Sequence, residues 1–261
     1  MASMGFDATG AGVVVTGGGR GIGAAIARRL SADGARLVIA DIDGAAAAQV
    51  AEEIGAVAVA GDAASQEGVA ALIERATGEL GAIDLYCANA GVAPQGGPEA
   101  PEAEWARAWE VNVMGHVRAA ALLLPAWLDR GRGRFLATVS AAGLLTMLGS
   151  APYSVTKHGA LAFAEWLSAT YRHRGITVQA LCPQGVRTDM LAEAGPGAQF
   201  LMAATAIDPE QVADVVAEAL ADDRFLILPH PEIAGYYQAR SADTGRWIAS
   251  MNKLQRKLDE A

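Results

Sequence analysis

Basic clusters are missing from this chain. Its 29 acidic residues outnumber 20 lysines and arginines, for a formal net charge of −9. Without a basic stripe there is no electrostatic footprint for nucleic acid or for an anionic membrane surface, and neither is expected as a partner. Cysteine is scarce too. Cys87 and Cys182 each lie in an apolar, strand-like stretch without metal-ligand spacing, and are expected to be buried, reduced thiols. No ligand cluster for a metal is present in the pattern. The longest apolar run, 119–128, contains Pro125 and falls well short of the ~20 residues that cross a bilayer. The first residues carry no apolar signal core, so a soluble, cytoplasmic protein is expected.

Apolar residues nevertheless make up 52% of the 261, ample for a core without disulfide or metal staples. Short apolar runs predict strands at 13–16, 37–40, 57–60, 85–88, 135–139, 177–181 and 225–228. Ala-rich helical patterns lie between them, near 21–33, 43–54, 66–79, 102–128, 152–173 and 208–221. The strands read as continuous apolar runs rather than alternating ones, which suits parallel strands covered on both faces. The repeated strand–helix unit predicts an α/β fold: one domain over 1–261, with a doubly wound parallel sheet of about seven strands in a core at 10–228. Two segments stand outside the repeat. Residues 187–207, with Gly195, Pro196 and Gly197, read as a mobile insertion on the substrate side. Residues 229–261, with Tyr236, Tyr237, Trp247, Met251 and Leu254, read as a helical tail that either closes over the active site or covers sheet or interface surface.

Thr16-Gly-Gly-Gly-Arg-Gly-Ile-Gly23 directly follows the first strand and opens a helix. Glycines there let the backbone turn sharply and approach a pyrophosphate, which the free N–H groups and dipole of a helix N-terminus attract. Asp41 ends the second strand, where a carboxylate can accept hydrogen bonds from adenosine ribose hydroxyls and repel a 2′-phosphate. Either Asp41 or Asp43 can instead cap the following helix. NAD is the expected cofactor and NADP the lesser candidate, although Arg20 could meet a phosphate. The sheet is thus of Rossmann type.

Tyr153 and Lys157, in Tyr-Ser-Val-Thr-Lys, share one helix face at i and i+4. A free tyrosine has a pKa of about 10, and a nearby fixed cation favours its phenolate; a shift of about 3 units needs roughly 4 kcal/mol. Tyr153 is therefore a candidate acid/base. Ser140 ends the fifth strand thirteen residues earlier, Asn112 sits within a long helix, and Asn89-Ala-Gly91 ends the fourth strand. With these in place the chain resembles the short-chain dehydrogenase/reductase family, specifically its compact NAD(P)-dependent oxidoreductases, over about residues 10–228.

The resemblance implies roles residue by residue. Tyr153 would exchange a proton with the substrate oxygen, and Lys157 would lower the phenol's pKa and hold the nicotinamide ribose. Ser140 would hydrogen-bond the reacting oxygen, and Asn112 would hold a water that links Lys157 to solvent. Gly17, Arg20, Gly21, Ile22 and Gly23 would surround the pyrophosphate. Asp62 and Ala63 would meet the adenine, and Asn89 and Gly91 would shape the cofactor channel. The family's Pro-Gly-x-Val-x-Thr segment stands here as Pro183-Gln-Gly-Val-Arg-Thr188, with Pro183, Gly185, Val186 and Thr188 on the nicotinamide side and Gln184 in place of the first glycine. Relatives of this kind assemble as dimers or tetramers through the two long helices, so a homodimer or homotetramer is expected.

The loops expected to line the substrate pocket, 92–94, 144–148, 190–191 and 200–202, are apolar and carry no cation; Arg187 is the nearest in sequence. Leu145, Met147, Gln184, Leu191 and Met202 are the pocket candidates, and a mostly apolar secondary alcohol and its ketone are the expected substrate pair. Two other readings remain beside this one: an NADP-preferring ketoreductase of acyl or other carbonyl intermediates, and a cofactor-binding regulatory protein without turnover.

Overall fold

The structure is a computed structural model that describes residues 5–195 and 202–260. Seven strands form one parallel sheet: β1 (Gly12–Thr16), β2 (Arg36–Asp41), β3 (Val57–Ala60), β4 (Leu85–Ala88), β5 (Gly133–Thr138), β6 (Ile176–Leu181) and β7 (Leu226–Ile227). Their order in space is β3-β2-β1-β4-β5-β6-β7. Winding therefore reverses between β1 and β4, which opens a crevice beyond their carboxyl ends. Val13, Val14 and Val15 are fully buried, as a strand covered on both faces requires.

Helices α1 (Gly21–Ala32) and α2 (Gly44–Ile54) pack on one face together with α9 (Pro209–Asp222). The other face carries α3 (Gln66–Leu80), α5 (Gly115–Arg130) and α7 (Ala151–Tyr171). Local chemistry fixes several starts. Asp43 accepts from the Ala46 N–H at 3.1 Å to cap α2, and Ser65 accepts from the Gly68 N–H at 3.1 Å to cap α3. Asp208 and Gln211 form a reciprocal capping box on α9.

The long helix expected over 102–128 runs from Glu102 to Arg130, but not as one regular coil. After α4 (Glu102–Trp109), Glu110–Met114 adopts π geometry before α5 begins. A π segment inserts one extra residue per turn and is frequent at functional sites; here it carries Asn112. By length and composition alone Glu102–Arg130 could cross a bilayer. It is instead packed against α3 and α7.

The tail is helical, as expected. In α10 (Glu232–Ala242) Ile233 is fully buried and Tyr237 packs on the core. In α11 (Thr244–Asp259) no residue is buried, and Trp247 meets only Tyr236, at a 6.4 Å ring separation, among ring contacts of the described residues. The 187–207 insertion is closed at its base: the Arg187 N–H donates to the Ile207 carbonyl at 2.9 Å, and the Ile207 N–H to the Gly185 carbonyl at 3.1 Å. It contains α8 (Asp189–Ala192). Gly195 is its last described residue before the gap, and Pro196, Gly197, Phe200 and Leu201 lie outside the described residues.

Candidate active site

Three strand ends are stitched together by short polar side chains. The Thr16 hydroxyl, ending β1, donates to the Cys87 carbonyl at 3.2 Å and accepts from the Asn89 and Ala90 N–H groups at 2.9 and 3.1 Å. The Asn89 amide donates to the Thr16 and Gly17 carbonyls at 3.0 and 3.2 Å and accepts from the Thr138 hydroxyl at 3.1 Å. The carboxyl ends of β1, β4 and β5 are thereby fixed at one level. They bound a cleft of about 790 Å³, within the size range of small-molecule sites.

At one end of the cleft lie Gly17, Arg20, Gly21 and Ile22 at the start of α1, with Asp41, Asp62 and Ala63 opposite. Gly23 sits beneath rather than in the wall; a Cβ there would stand 2.1 Å from the Gly17 carbonyl oxygen, so only glycine lets the turn fold back this tightly. The Asp41 carboxylate accepts from the Gly19 N–H and the Asp43 N–H, each at 3.0 Å. Asp43, not Asp41, caps α2, which leaves Asp41 facing the cleft. Arg20 is held by Asp43 at 3.1 Å and by Asp189 at 3.7 Å.

The other end holds the chemistry-bearing group. Ser140 follows β5 and caps the short helix α6 (Ala141–Leu144), accepting from the Ala142 N–H at 3.0 Å. A Cβ on Gly143 would come within 2.6 Å of the Lys157 carbonyl oxygen, so glycine allows α6 to press against α7. That contact sets Ser140 near the Tyr153 phenol, whose pKa it lowers, while the Ser140 hydroxyl itself points at the Pro183 carbonyl at 3.5 Å. The Lys157 ammonium lies 5.6 Å from the centre of the Tyr153 ring and donates to the Thr138 carbonyl at 2.9 Å. The Ser154 hydroxyl grips both the N–H and the carbonyl of Met147, at 3.0 and 3.1 Å, and so pins the 145–149 loop beside Tyr153.

Electrostatics here differ from expectation in one respect. Burial raises the Tyr153 pKa above its ordinary 10.0, and the nearby Ser140 hydroxyl offsets this only in part. The same burial lowers Lys157 to about 8. In the cleft as it stands desolvation therefore works against the phenolate, and the Lys157 ammonium spends its hydrogen bond on the Thr138 carbonyl. Cys182, buried close by, is pushed up to about 12 by desolvation and stays a thiol.

Other expected residues fall as follows. Asn89, Gly91, Pro183, Val186 and Thr188 line the cleft, as do Met147, Gln184, Leu191 and Met202. Leu145 is not among the lining residues: it follows α6 and packs, partly buried, against the core cluster. Gly185 lies under the wall, where a Cβ would meet the Met202 carbonyl oxygen at 2.8 Å. Asn112 is fully buried outside the cleft wall. Its side-chain oxygen accepts from the Val92 N–H, and its amide nitrogen donates to the Val92 carbonyl, each at 2.9 Å, and to the Thr156 hydroxyl at 3.0 Å. Both amide protons are thus committed to protein, and the side chain ties the loop after β4 to α7.

Several lining residues had no sequence signal. Thr138 lies two positions before Ser140, and Ile42 stands beside Asp41. Arg107, Glu110 and Val111 come from α4 and the π segment, so the cleft does contain a cation that the apolar loops lack. Arg187, the nearest in sequence, is tied instead to Asp208 at 2.6 Å. His230, on the connection from β7 to α10, is buried and holds the nicotinamide-side loop. It accepts from the Gln184 N–H at 3.1 Å through Nδ1 and meets the Gly185 carbonyl at 3.0 Å through Nε2.

A family model described as short chain dehydrogenase matches residues 11–199. The chain is a short-chain dehydrogenase. Similar curated proteins include the 1-deoxy-11-beta-hydroxypentalenate dehydrogenase of Streptomyces exfoliatus, 38% identical, with 84% of this chain and 82% of that protein covered. The cis-4-hydroxycyclohexanecarboxylate dehydrogenase of Sinomonas cyclohexanicum is 33% identical over 80% of this chain and 88% of that protein. A crystal structure of a short chain dehydrogenase/reductase from Burkholderia phymatum in complex with NAD superposes with a TM-score of 0.85. It is 29% identical and covers 92% of this chain and 95% of that one. This short-chain dehydrogenase is thus an oxidoreductase acting on secondary alcohols, built on the Rossmann-type sheet that its sequence predicts.

Proposed function

We propose that the enzyme interconverts a mostly apolar, alicyclic secondary alcohol and its ketone with NAD, using Tyr153 as the acid/base. The observation that carries this reading is the convergence of Ser140, Tyr153 and Lys157, the ammonium 5.6 Å from the Tyr153 ring centre, at the buried end of a cleft whose other end presents Asp41. The glycine turn and the Asp41 carboxylate suit an adenosine diphosphate with a free ribose 2′-hydroxyl, and a 2′-phosphate would meet like charge. In this reading Gly17, Gly21 and Ile22 hold the pyrophosphate, Asp62 and Ala63 the adenine, Asn89, Gly91 and Lys157 the nicotinamide ribose, and Pro183, Val186 and Thr188 the carboxamide. NAD, when bound, supplies a hydride acceptor and a positive charge. Tyr153 takes the hydroxyl proton as the C–H hydride leaves, and returns a proton to the oxygen in the reverse direction. Ser140 holds that oxygen. The raised pKa of Tyr153 means that cationic neighbours must counter burial before the phenol can accept, and Lys157 is the protein's contribution.

Initial rates of NADH formation across aliphatic, alicyclic and aryl secondary alcohols test the reading, with Tyr153→Phe as control. Turnover that vanishes in the variant supports it; tight NADH binding without turnover of any alcohol sinks it. Asp41→Ala should raise the NADP to NAD efficiency ratio by at least about tenfold through removal of like-charge repulsion.

Arg107 favours a second reading within the same chemistry, an alicyclic hydroxy acid whose carboxylate pairs with that guanidinium. The named substrate of the Sinomonas relative carries such a group. Arg107→Ala should then raise KM for 4-hydroxycyclohexanecarboxylate and leave that for cyclohexanol in place.

A homodimer or homotetramer through α4, α5 and α7 is part of the proposal. Its support is the solvent-facing Trp109, Leu122, Val155 and Trp166 on those helices, and light scattering measures it. A cytoplasmic setting accords with two unpaired, buried thiols.

A further inference from the structure

The tail reaches the substrate side of the cleft through one residue. Ile233, Tyr237 and Arg240 stand at i, i+4 and i+7 on α10, so one helix face turns all three toward the body. Ile233 is fully buried and Tyr237 packs on the core, which anchors the helix. At the end of this stripe the half-buried Arg240 guanidinium donates through Nη1 to the Leu144 carbonyl, and to Nε2 of His158 at 3.0 Å. Leu144 closes α6, and His158 follows Lys157 on α7.

These partners fix the state of His158. A guanidinium only donates, so Nε2 presents its lone pair to Arg240. Nδ1 lies 2.8 Å from the Ser154 carbonyl, which only accepts, so Nδ1 carries the proton. Arg240 thus holds a neutral imidazole whose other nitrogen holds Ser154, and the Ser154 hydroxyl grips both the N–H and the carbonyl of Met147. Both routes from Arg240 end on one element. The 145–149 loop starts from Leu144, its middle is pinned by Ser154, and Met147 is its residue in the cleft wall. The far end of the loop is tied elsewhere, where the Gly96 N–H donates to the Gly149 carbonyl at 2.9 Å. Arg240 supplies the tie at the near end.

We propose that Arg240 is a positioning residue for substrate specificity: from the tail it sets the Met147 wall of the cleft, through Leu144 on one side and the His158–Ser154 pair on the other. The inference deepens the secondary-alcohol reading and rests on it. Arg240 is not among the residues that line the cleft, so it acts through the wall and governs the size of ring admitted rather than the chemistry. One methylene more or less in an apolar pocket is worth about tenfold or more in kcat/KM when the wall is firm. A wall that yields loses that discrimination against bulk.

The test measures kcat/KM for cyclopentanol, cyclohexanol, cycloheptanol and cyclooctanol, each larger ring taken as a ratio to cyclohexanol. Such a ratio does not depend on how much of the enzyme is active. Arg240→Met keeps the apolar stem and removes the donors; it should raise the cyclooctanol ratio by at least about threefold with NADH affinity, read by fluorescence titration, unchanged. His158→Leu cuts the route to Ser154, should shift the ratio the same way, and serves if the methionine variant fails to fold. A smaller rise, or a fall, overturns the inference. Equal loss on all four alcohols is that outcome too, and marks a contact that only holds the tail in place. A raised ratio with weakened NADH binding also overturns it, since the disturbance then extends beyond the wall. A wild type that binds NADH but turns over none of the alcohols instead overturns the secondary-alcohol reading and takes this one with it.

Discussion

Lys157 is a buried cation, 3% exposed, and its replacement by methionine gives a sharp test of the electrostatics around Tyr153. Desolvation lowers its pKa from 10.5 to about 8. At 1.36 kcal/mol per unit, that shift amounts to roughly 3 kcal/mol of native-state cost while the lysine is charged. The sign follows from proton counting. Between about 8 and 10.5 the unfolded lysine holds a proton that the folded one has released, so native stability rises with pH across that window. Methionine abolishes this dependence. The stability of the wild type minus that of Lys157→Met should therefore climb by about 1.3 kcal/mol from pH 7 to pH 9, and by most of the remainder before pH reaches 10.5. Loss of the donor to the Thr138 carbonyl adds a penalty to the variant of about 1 kcal/mol, which does not vary with pH. Cys182 and Tyr153, whose pKa values burial raises, work in the opposite direction at higher pH in both proteins and largely cancel in the difference. Urea unfolding of the cofactor-free proteins at pH 7, 8 and 9 measures it. A flat difference, or one that falls with pH, refutes the reasoning and means that Lys157 is solvated in the native state.

Three further outcomes are expected. His230→Leu strands the Gln184 N–H, while the Gly185 carbonyl keeps the Ile207 N–H, and should cost about 1–3 kcal/mol in urea unfolding, with looser NADH binding in fluorescence titration. Asn112→Leu frees the loop after β4 from α7; it should destabilise by about 2–4 kcal/mol and lower kcat more than it raises KM. Truncation after Ala242 removes α11, none of whose residues is fully buried in the monomer, and should leave the thermal midpoint of a dilute sample within about 2 °C; truncation after Pro229 removes Ile233 and His230 and should yield insoluble protein.

The strands were readable because burial on both faces writes them as uninterrupted apolar runs: 57–60 and 85–88 match β3 and β4 end for end. β5 begins two residues earlier than its apolar run, because Gly133 and Arg134 pair with β6 through backbone alone. The π segment at Glu110–Met114 has no counterpart in apolar spacing, which counts turns and not an inserted residue. Tyr153 and Lys157 share a face by helical spacing, but the direction of the phenol's pKa depends on desolvation, which no spacing reports. Leu145 and Met147 look alike as apolar loop residues. Only the Ser154 grip on Met147 and the core packing of Leu145 separate them. His230 stands 46 residues from Gln184, and nothing local marks it as that loop's anchor.

That anchor has a consequence for how the protein comes into being on the ribosome. The Asp41 side of the cleft is assembled from the first three strands and is covalently complete within the first quarter of the chain. The Gln184–Gly185 turn, already held by the Ile207 N–H, receives its last anchor only when residue 230, beyond the last strand, has been synthesised and has docked. A nascent chain therefore carries half a site for most of its synthesis. The far side of the cleft receives this anchor at the end of translation, after every strand of the sheet has been synthesised.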